Sequence, residues 1–145
     1  GPWGRPDMSL FIFTKNILSR KNIQVFNEGK MKRDFTYIDD AVNATYKILH
    51  NIPKIKKPNN TCKFKIFNVG GGKTISLINY IKLIEKSLGI KAKKNLKKMQ
   101  LGDVKATLSN INEMKSSLKY YPKTNINVGI RKFTDWYKSF YLNDK

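Results

Sequence analysis

Apolar residues recur along this chain in two rhythms. From Met8 to Lys21 they fall at Leu10, Phe11, Ile12, Phe13, Ile17 and Leu18, too many for one stripe, which predicts a largely buried helix. Pro6 blocks its extension backwards, and Asp7 or Ser9 offers an N-cap oxygen. Ile23 to Phe26 alternates as a strand does, Asn27-Glu28-Gly29 reads as a turn, and Arg33 to Ile38 as a second extended segment. Asp39 or Asp40 is expected to cap a helix whose apolar positions are Ala41, Val42, Ala44, Thr45, Ile48 and Leu49. A polar loop over 50–62 follows, with Pro53 and Pro58. Lys63 to Val69 alternates again before Gly70-Gly71-Gly72; Thr74 or Ser76 opens a helix through Leu88, stopped by Gly89. Lys91 to Leu96 reads as a charged edge strand, Asp103 to Ser109 as weakly extended, Asn110 to Leu118 as a short helix and Asn127 to Tyr141 as a closing one. The order of elements, with helices dominant, indicates an α/β chain.

Composition narrows this only a little. With 145 residues, 40% of them hydrophobic, the chain is the size of one ordinary domain. It opens on Gly1 rather than Met, as a portion of a longer protein does. No apolar run is long enough for a spanning helix, and one cysteine, Cys62, cannot close an internal disulfide, so a reducing cytoplasm is expected. The net charge of +19 raises the possibility of a nucleic-acid-binding module. Against it, arginine appears only at positions 5, 20, 33 and 131, and the lysines are scattered rather than interleaved with aromatics. A Lys-rich solvated surface, with no nucleic acid and no membrane as partner, is the expectation.

The stretch that organises the rest is Lys30-Met31-Lys32-Arg33-Asp34-Phe35-Thr36-Tyr37-Ile38-Asp39-Asp40. A fork-shaped cation at a strand start, followed by a helix, suits holding a phosphate against a rigid scaffold. Together with Gly1-Pro2-Trp3-Gly4-Arg5-Pro6-Asp7-Met8 before it and Met99-Gln100-Leu101-Gly102-Asp103-Val104 after it, this stretch resembles one family. These are the NAD-dependent nucleotide-sugar epimerases of the extended short-chain dehydrogenase/reductase type, and within them the UDP-glucuronate 4-epimerases. The resemblance runs over the whole chain, residues 1–145, and covers only the C-terminal part of such an enzyme. It implies a substrate-binding lobe plus returning elements of a Rossmann sheet, Val69 and the helix after Asp40 among them, with the N-terminal Rossmann part missing. Apolar faces would then be left without their partners.

The resemblance also assigns roles. Arg33 falls where the family grips the pyrophosphate of UDP, and a planar fork can bind two phosphate oxygens at once as lysine cannot; its bland alternative is a surface pair with Asp34. Gln24 and Phe26 fall where related enzymes meet the uracil, Leu77 at an apolar position near the nucleotide, and Asp103 where a carboxylate accepts ribose hydroxyls. Gln100 stands where galactose-type epimerases have arginine and uronate epimerases often glutamine. Lys98 and Leu101 depart from the prolines usual in that motif. Arg5 borders the sugar pocket, where a cation could face a uronate carboxylate; Asp7 and Met8 fall where the helix start meets the nucleotide. Core or turn packing is the plain alternative for each. Gly70-Gly71-Gly72 is not a G-x-G-x-x-G turn, and is expected to let a loop approach the nucleotide. His50 and Cys62 have no ligand-spaced partners, so no metal is expected.

The family's chemistry needs NAD, held by a glycine-rich loop this chain does not contain, and a catalytic Tyr-x-x-x-Lys pair, expected upstream of Gly1. A UDP-sugar is the implied substrate, UDP-glucuronate to UDP-galacturonate through a 4-keto intermediate, for surface polysaccharides. The chain alone is expected to be inactive, and any homodimer to form through upstream helices. Another UDP- or dTDP-sugar epimerase or dehydratase of the same superfamily is the alternative.

Overall fold

A computed structural model describes residues 1–51 and 64–142. In chain order the elements are α1 (Ser9–Leu18), β1 (Asn22–Val25), a 3₁₀ turn (Phe26–Gly29), β2 (Lys32–Asp34), α2 (Ile38–Leu49), β3 (Thr74–Ser76), α3 (Leu77–Leu88), β4 (Lys93–Leu96), α4 (Asn112–Leu118) and α5 (Ile126–Leu142). The chain divides into two compact units: Gly1–Arg33 with Thr74–Thr107 and Asn125–Lys145, and Asp34–Lys73 with Leu108–Thr124.

The first unit is built on β1 and β4, which pair in parallel with Gln24 opposite Asn95 and Val25 opposite Leu96. Ile23 and Val25 point inward and are fully buried, while Gln24 faces out, as a two-residue period requires. Helix α3 packs against α1 and α5, with Ile81 and Ile84 fully buried and Tyr80 and Leu88 nearly so. Its ends follow from sequence: the Ser76 hydroxyl accepts the Asn79 N–H, and Gly89 ends it at φ +71, a conformation that favours glycine. Phe11 meets Phe133 and Tyr137 edge-on, and Trp3 lies against Trp136 and Phe140. The N-terminal Pro/Gly turn thus docks on α5 through Trp3. β2 and β3 form a second two-stranded sheet.

The second unit closes α2 and α4 around Ala44, Ile111, Met114 and Leu118, with Ile48, Phe67, Val69 and Tyr120 packed on them. Three expectations fail here. Residues 64–69 form no strand among the described residues, because no neighbouring strand there takes up their backbone groups. The second extended segment is only Lys32–Asp34, since α2 already begins at Ile38. Of the apolar positions read on α2, Ala44 is buried but Val42 and Leu49 stand 58% and 71% exposed. The caps expected for α1 and α2 fail too. Met8 and Tyr37 are the N-caps of α1 and α2, neither making a side-chain capping hydrogen bond. Asp7 bonds to Arg5 instead, and Asp40 turns to another part of its unit. Most of the loop over 50–62, including Cys62, lies outside the described residues.

Glu85 is the one buried carboxylate of the first unit among the described residues, 5% exposed on α3. Its Oε1 accepts from the Ala92 N–H at 2.9 Å and from Lys94 Nζ at 2.5 Å, tying the helix to the approach of β4. Burial pushes this carboxyl up, but the Lys94 and Ala92 hydrogen bonds and the Lys94 and Lys91 charges outweigh it, leaving it below the ordinary range. A folded-state pKa lowered in this way stabilises fully above the unfolded value of about 4.3, and that stability is lost as pH falls through the native value. The urea midpoint is therefore expected to fall between about pH 5 and pH 2, and to fall less steeply in Glu85→Gln than in the parent. Parallel curves for the two proteins would contradict this.

Candidate functional site

Arg33 sits where several backbone segments of the first unit are tied together. The Lys32 N–H donates to Lys105 O at 2.9 Å and the Thr107 N–H to Lys32 O at 3.2 Å, bridging β2 to the 105–107 segment. The Leu77 N–H donates to Met31 O at 2.8 Å, fixing the first turn of α3 beside the same strand. The turn after β1 is held by Lys97: its N–H donates to Val25 O at 3.0 Å, and its carbonyl accepts the Glu28 N–H at 3.1 Å. Gly29, at φ +79, lies against α3 so closely that a Cβ there would fall 2.4 Å from Ile78 Cδ1. Only glycine fits.

On this frame the Arg33 guanidinium donates from Nη2 to Asp103 Oδ1 at 2.7 Å and from Nη1 to the Lys32 carbonyl at 2.9 Å. Both side chains of the pair are about one-quarter exposed, at 28% and 29%. Asp103 is held in turn: its Oδ1 accepts the Val104 N–H at 2.8 Å, and its own N–H closes a turn on Gln100 O at 3.3 Å, with Gly102 at φ +81. The expected alternative partner for Arg33, Asp34, is not the one it takes. Among the described residues two of the guanidinium N–H groups are engaged, so the pair sets a multidentate cation beside a carboxylate.

These bonds join Arg33 to Asp103 and Asp103 to Gln100, tie Leu77 to Met31 two residues before Arg33, and hold Val25, next to Phe26, on Lys97. Phe26 and Leu77 are half-buried, Gln100 is exposed, and Gln24 lies exposed on β1 two residues before Phe26. Arg5, Asp7 and Met8 stand apart. The Arg5 fork is bidentate to Asp7, at 3.1 and 2.5 Å, and both are exposed; Met8 is 47% exposed. Arg5 holds the Asp7 carboxyl below its ordinary range, chiefly through the side-chain hydrogen bond. None of the hydrogen bonds or ion pairs among the described residues joins this trio to Arg33.

Sequence reasoning missed Asp34 and Asp40, which are neither a surface partner nor a cap. Asp34 Oδ2 accepts the N–H groups of Gly72 and Ser109, both at 3.0 Å. Asp40 accepts those of Lys123 at 3.2 Å and Thr124 at 2.9 Å. The signal was present in Gly70-Gly71-Gly72, whose bare backbone donors need an acceptor. The close approach expected of those glycines is to their own chain: a Cβ on Gly71 would lie 2.5 Å from Phe35 O, and one on Gly70 2.2 Å from Ser109 Cβ. One spacing was also passed over. Tyr141 and Lys145 stand four apart, as the catalytic pair of the resembled family does; Tyr141 packs edge-on to Phe11 and Trp136, and Lys145 lies outside the described residues. Among the described residues no His, Cys, Asp or Glu group is placed to hold a metal ion, and no helix is long and apolar enough to cross a membrane.

A double-mutant cycle should separate the two Arg–Asp pairs. Arg33 and Asp103, three-quarters shielded and each anchored by backbone, are expected to couple by about 1 kcal/mol in urea unfolding. Arg5 and Asp7 are expected to couple within error. Equal coupling would show that the frame around Arg33 adds nothing.

The model of the NAD dependent epimerase/dehydratase family matches residues 1–70. UDP-glucuronate 4-epimerase 4 of Arabidopsis thaliana is 41% identical over 153 residues, covering 100% of this chain and 35% of the relative. Protein CapI of Staphylococcus aureus is 38% identical over 156 residues, covering 97% of this chain and 45% of the relative. The chain therefore spans less than half the length of the curated relatives it matches. Among solved structures, the UDP-glucuronic acid 4-epimerase from Bacillus cereus, in complex with UDP-glucuronic acid and NAD, superposes with a TM-score of 0.83 at 33% identity, covering 97% of this chain and 43% of that one. In sequence and in fold, this chain is similar to the C-terminal part of the extended short-chain dehydrogenase/reductase nucleotide-sugar epimerases of the NAD dependent epimerase/dehydratase family.

Proposed function

We propose that this chain is the nucleotide-sugar-binding portion of an NAD-dependent epimerase that interconverts UDP-glucuronate and UDP-galacturonate through a 4-keto intermediate, in a cytoplasmic route to surface polysaccharide. The observation that carries the reading is the Arg33–Asp103 pair, 2.7 Å apart on a frame made by the ends of β1, β2 and α3. Arg33 offers its remaining N–H groups to the pyrophosphate, and Asp103 accepts from ribose hydroxyls. Phe26 gives the uracil a flat apolar face, with Gln24 beside it on the strand and Leu77 closing the apolar side. Gln100 stands for the uronate branch of the family. Arg5 faces the sugar carboxylate once released from Asp7, and Asp7 and Met8 border the nucleotide at the start of α1.

The described residues do not fit NAD. A dinucleotide cradle needs glycine N–H groups turned out towards a pyrophosphate at a strand-to-helix turn. Here the Gly72 N–H is taken by Asp34, and Gly70 and Gly71 are packed against their own chain. In the proposed enzyme NAD and the catalytic tyrosine and lysine belong to a preceding segment, which also supplies the helices for a homodimer. The exposed apolar row of α2 supports this: Ile38, Val42, Tyr46 and Leu49 share one face and are each 48–71% exposed. The row matches a helix that packs on further chain. The alternative, another UDP- or dTDP-sugar epimerase or dehydratase, differs in which sugar the completed enzyme turns over.

The chain is expected to bind UDP by calorimetry and to epimerise nothing by itself. Arg33→Ala should weaken UDP binding at least tenfold, about 1.4 kcal/mol, and Arg33→Lys should recover little of it because an ammonium cannot reproduce the fork. Unchanged affinity in Arg33→Ala would end the phosphate role. The DNA in frame upstream of the Gly1 codon is expected to encode a glycine-rich βα turn and a Tyr-x-x-x-Lys; a stop codon there would leave a binding remnant only.

A further inference from the structure

The second unit consists of two stretches, Asp34–Lys73 and Leu108–Thr124, and so has four chain ends. Two carboxylates, six residues apart in sequence, hold all of them. Asp34 is itself the first end, and its Oδ2 accepts the N–H of Gly72, beside the second, and the N–H of Ser109, beside the third, each at 3.0 Å. Asp40, 7% exposed, takes the fourth: Oδ2 accepts the Thr124 N–H at 2.9 Å and Oδ1 the Lys123 N–H at 3.2 Å. Tyr120 adds its hydroxyl to the Asp40 carbonyl at 3.0 Å. Glycine at positions 70 and 71 is what lets the loop close on Asp34, since a Cβ on Gly71 would lie 2.6 Å from Asp34 Oδ1.

We propose that Asp34 is a positioning residue for the nucleotide site, a clamp that fixes where the chain enters and leaves the segments carrying Arg33, Leu77 and Asp103, whereas Asp40 fastens the end that leads into α5. The clamp rests on the reading of Arg33 and Asp103 as nucleotide-binding groups. It acts through chain connection alone. Arg33 is bonded to Asp34, Gly72 precedes Leu77 by five residues, and Ser109 follows Asp103 by six. Loosening any of these ends releases backbone freedom that the nucleotide must then remove on binding, which lowers affinity without removing a ligand contact.

The two clamps differ in a way that experiment can read. Asp34 uses one oxygen for both N–H groups, so the amide oxygen of Asn can accept both. Asp40 uses both oxygens, so Asn must turn an NH₂ towards one donor and lose that bond. Asp34→Ala is expected to weaken UDP binding about tenfold and to expose the Gly72 and Ser109 amides to hydrogen exchange, with Asp34→Asn within about threefold of the parent. Asp40→Asn is expected to behave like Asp40→Ala, losing protection at Lys123 or Thr124. If Asp34→Ala does not fold, Gly71→Ala tests the same clamp by wedging it from the loop side, with the same loss of affinity expected. Unchanged UDP affinity in a folded Asp34→Ala that has lost amide protection overturns the clamp, provided Arg33→Ala still weakens binding. Unchanged affinity in Arg33→Ala overturns the nucleotide reading itself. Equal losses in Asp34→Asn and Asp34→Ala overturn the shared-oxygen account.

Discussion

A carboxylate taken out of water is costly unless donors surround it, and this chain uses that cost as a means of fastening backbone. Asp34, Asp40 and Glu85 all accept main-chain N–H groups that no helix or sheet satisfies. Glu85 joins α3 to the approach of β4, and the two aspartates close the ends of the second unit. Sheets of two strands each could not by themselves hold so many chain passages in register. The net charge of +19 follows a different logic, since most described lysines of the first unit stand exposed, with Lys94 and Lys91 drawn to the buried Glu85. Acids are few in this chain, and those that are buried each have a defined set of donors.

Arg33 illustrates what a fixed frame adds to a charged side chain. An exposed arginine beside an aspartate, as at Arg5 and Asp7, contributes little, because water competes for both partners and the long side chain must be ordered. Arg33 is ordered by a carbonyl on its own strand and by a carboxylate whose own position is set by a glycine turn. The ordering cost is met on folding rather than on binding, which is the condition for a cation to bind an anion tightly. A lysine in the same place would supply the charge without the fork.

The sequence displays the elements whose signal is local and conceals those whose signal is not. Helix α3 was legible at both ends because Ser76 and Gly89 act on backbone within a turn of themselves. The parallel pairing of β1 with β4 was not: α2, α3 and two short strands lie between them in the chain, and nothing in Ile23–Phe26 names Lys93–Leu96 as partner. The alternation at 64–69 misled, since period two marks a strand only where a neighbour completes it. Among site residues, Arg33, Gln100 and Asp103 could be gathered from the resemblance, but that Asp103 rather than Asp34 takes Arg33 needed coordinates. Asp40 misled for a physical reason. An acid in the first turn of a helix is favourable whether or not it caps, and only the Lys123 and Thr124 amides, far along the chain, decide its use.

Helix α2 carries the argument one step further. Its inner face, Ala44 with Ile48, is closed by α4, and its Asp40 is closed by the 120–124 segment. Its outer face repeats Ile38, Val42, Tyr46 and Leu49 at the spacing of a second apolar stripe. A helix with apolar residues on opposite faces is a buried helix, and one apolar face left in water has no stabilising role in a chain otherwise rich in lysine. Phe64 and Ile66, two residues apart and 73% and 78% exposed, add the same signal in the same unit. Both observations describe apolar surface of the second unit that the described residues leave uncovered. The frame proposed to bind the nucleotide stands on buried residues of the first unit, Ile23, Val25 and Ile81, although that unit too exposes Leu96, Leu101 and Val104.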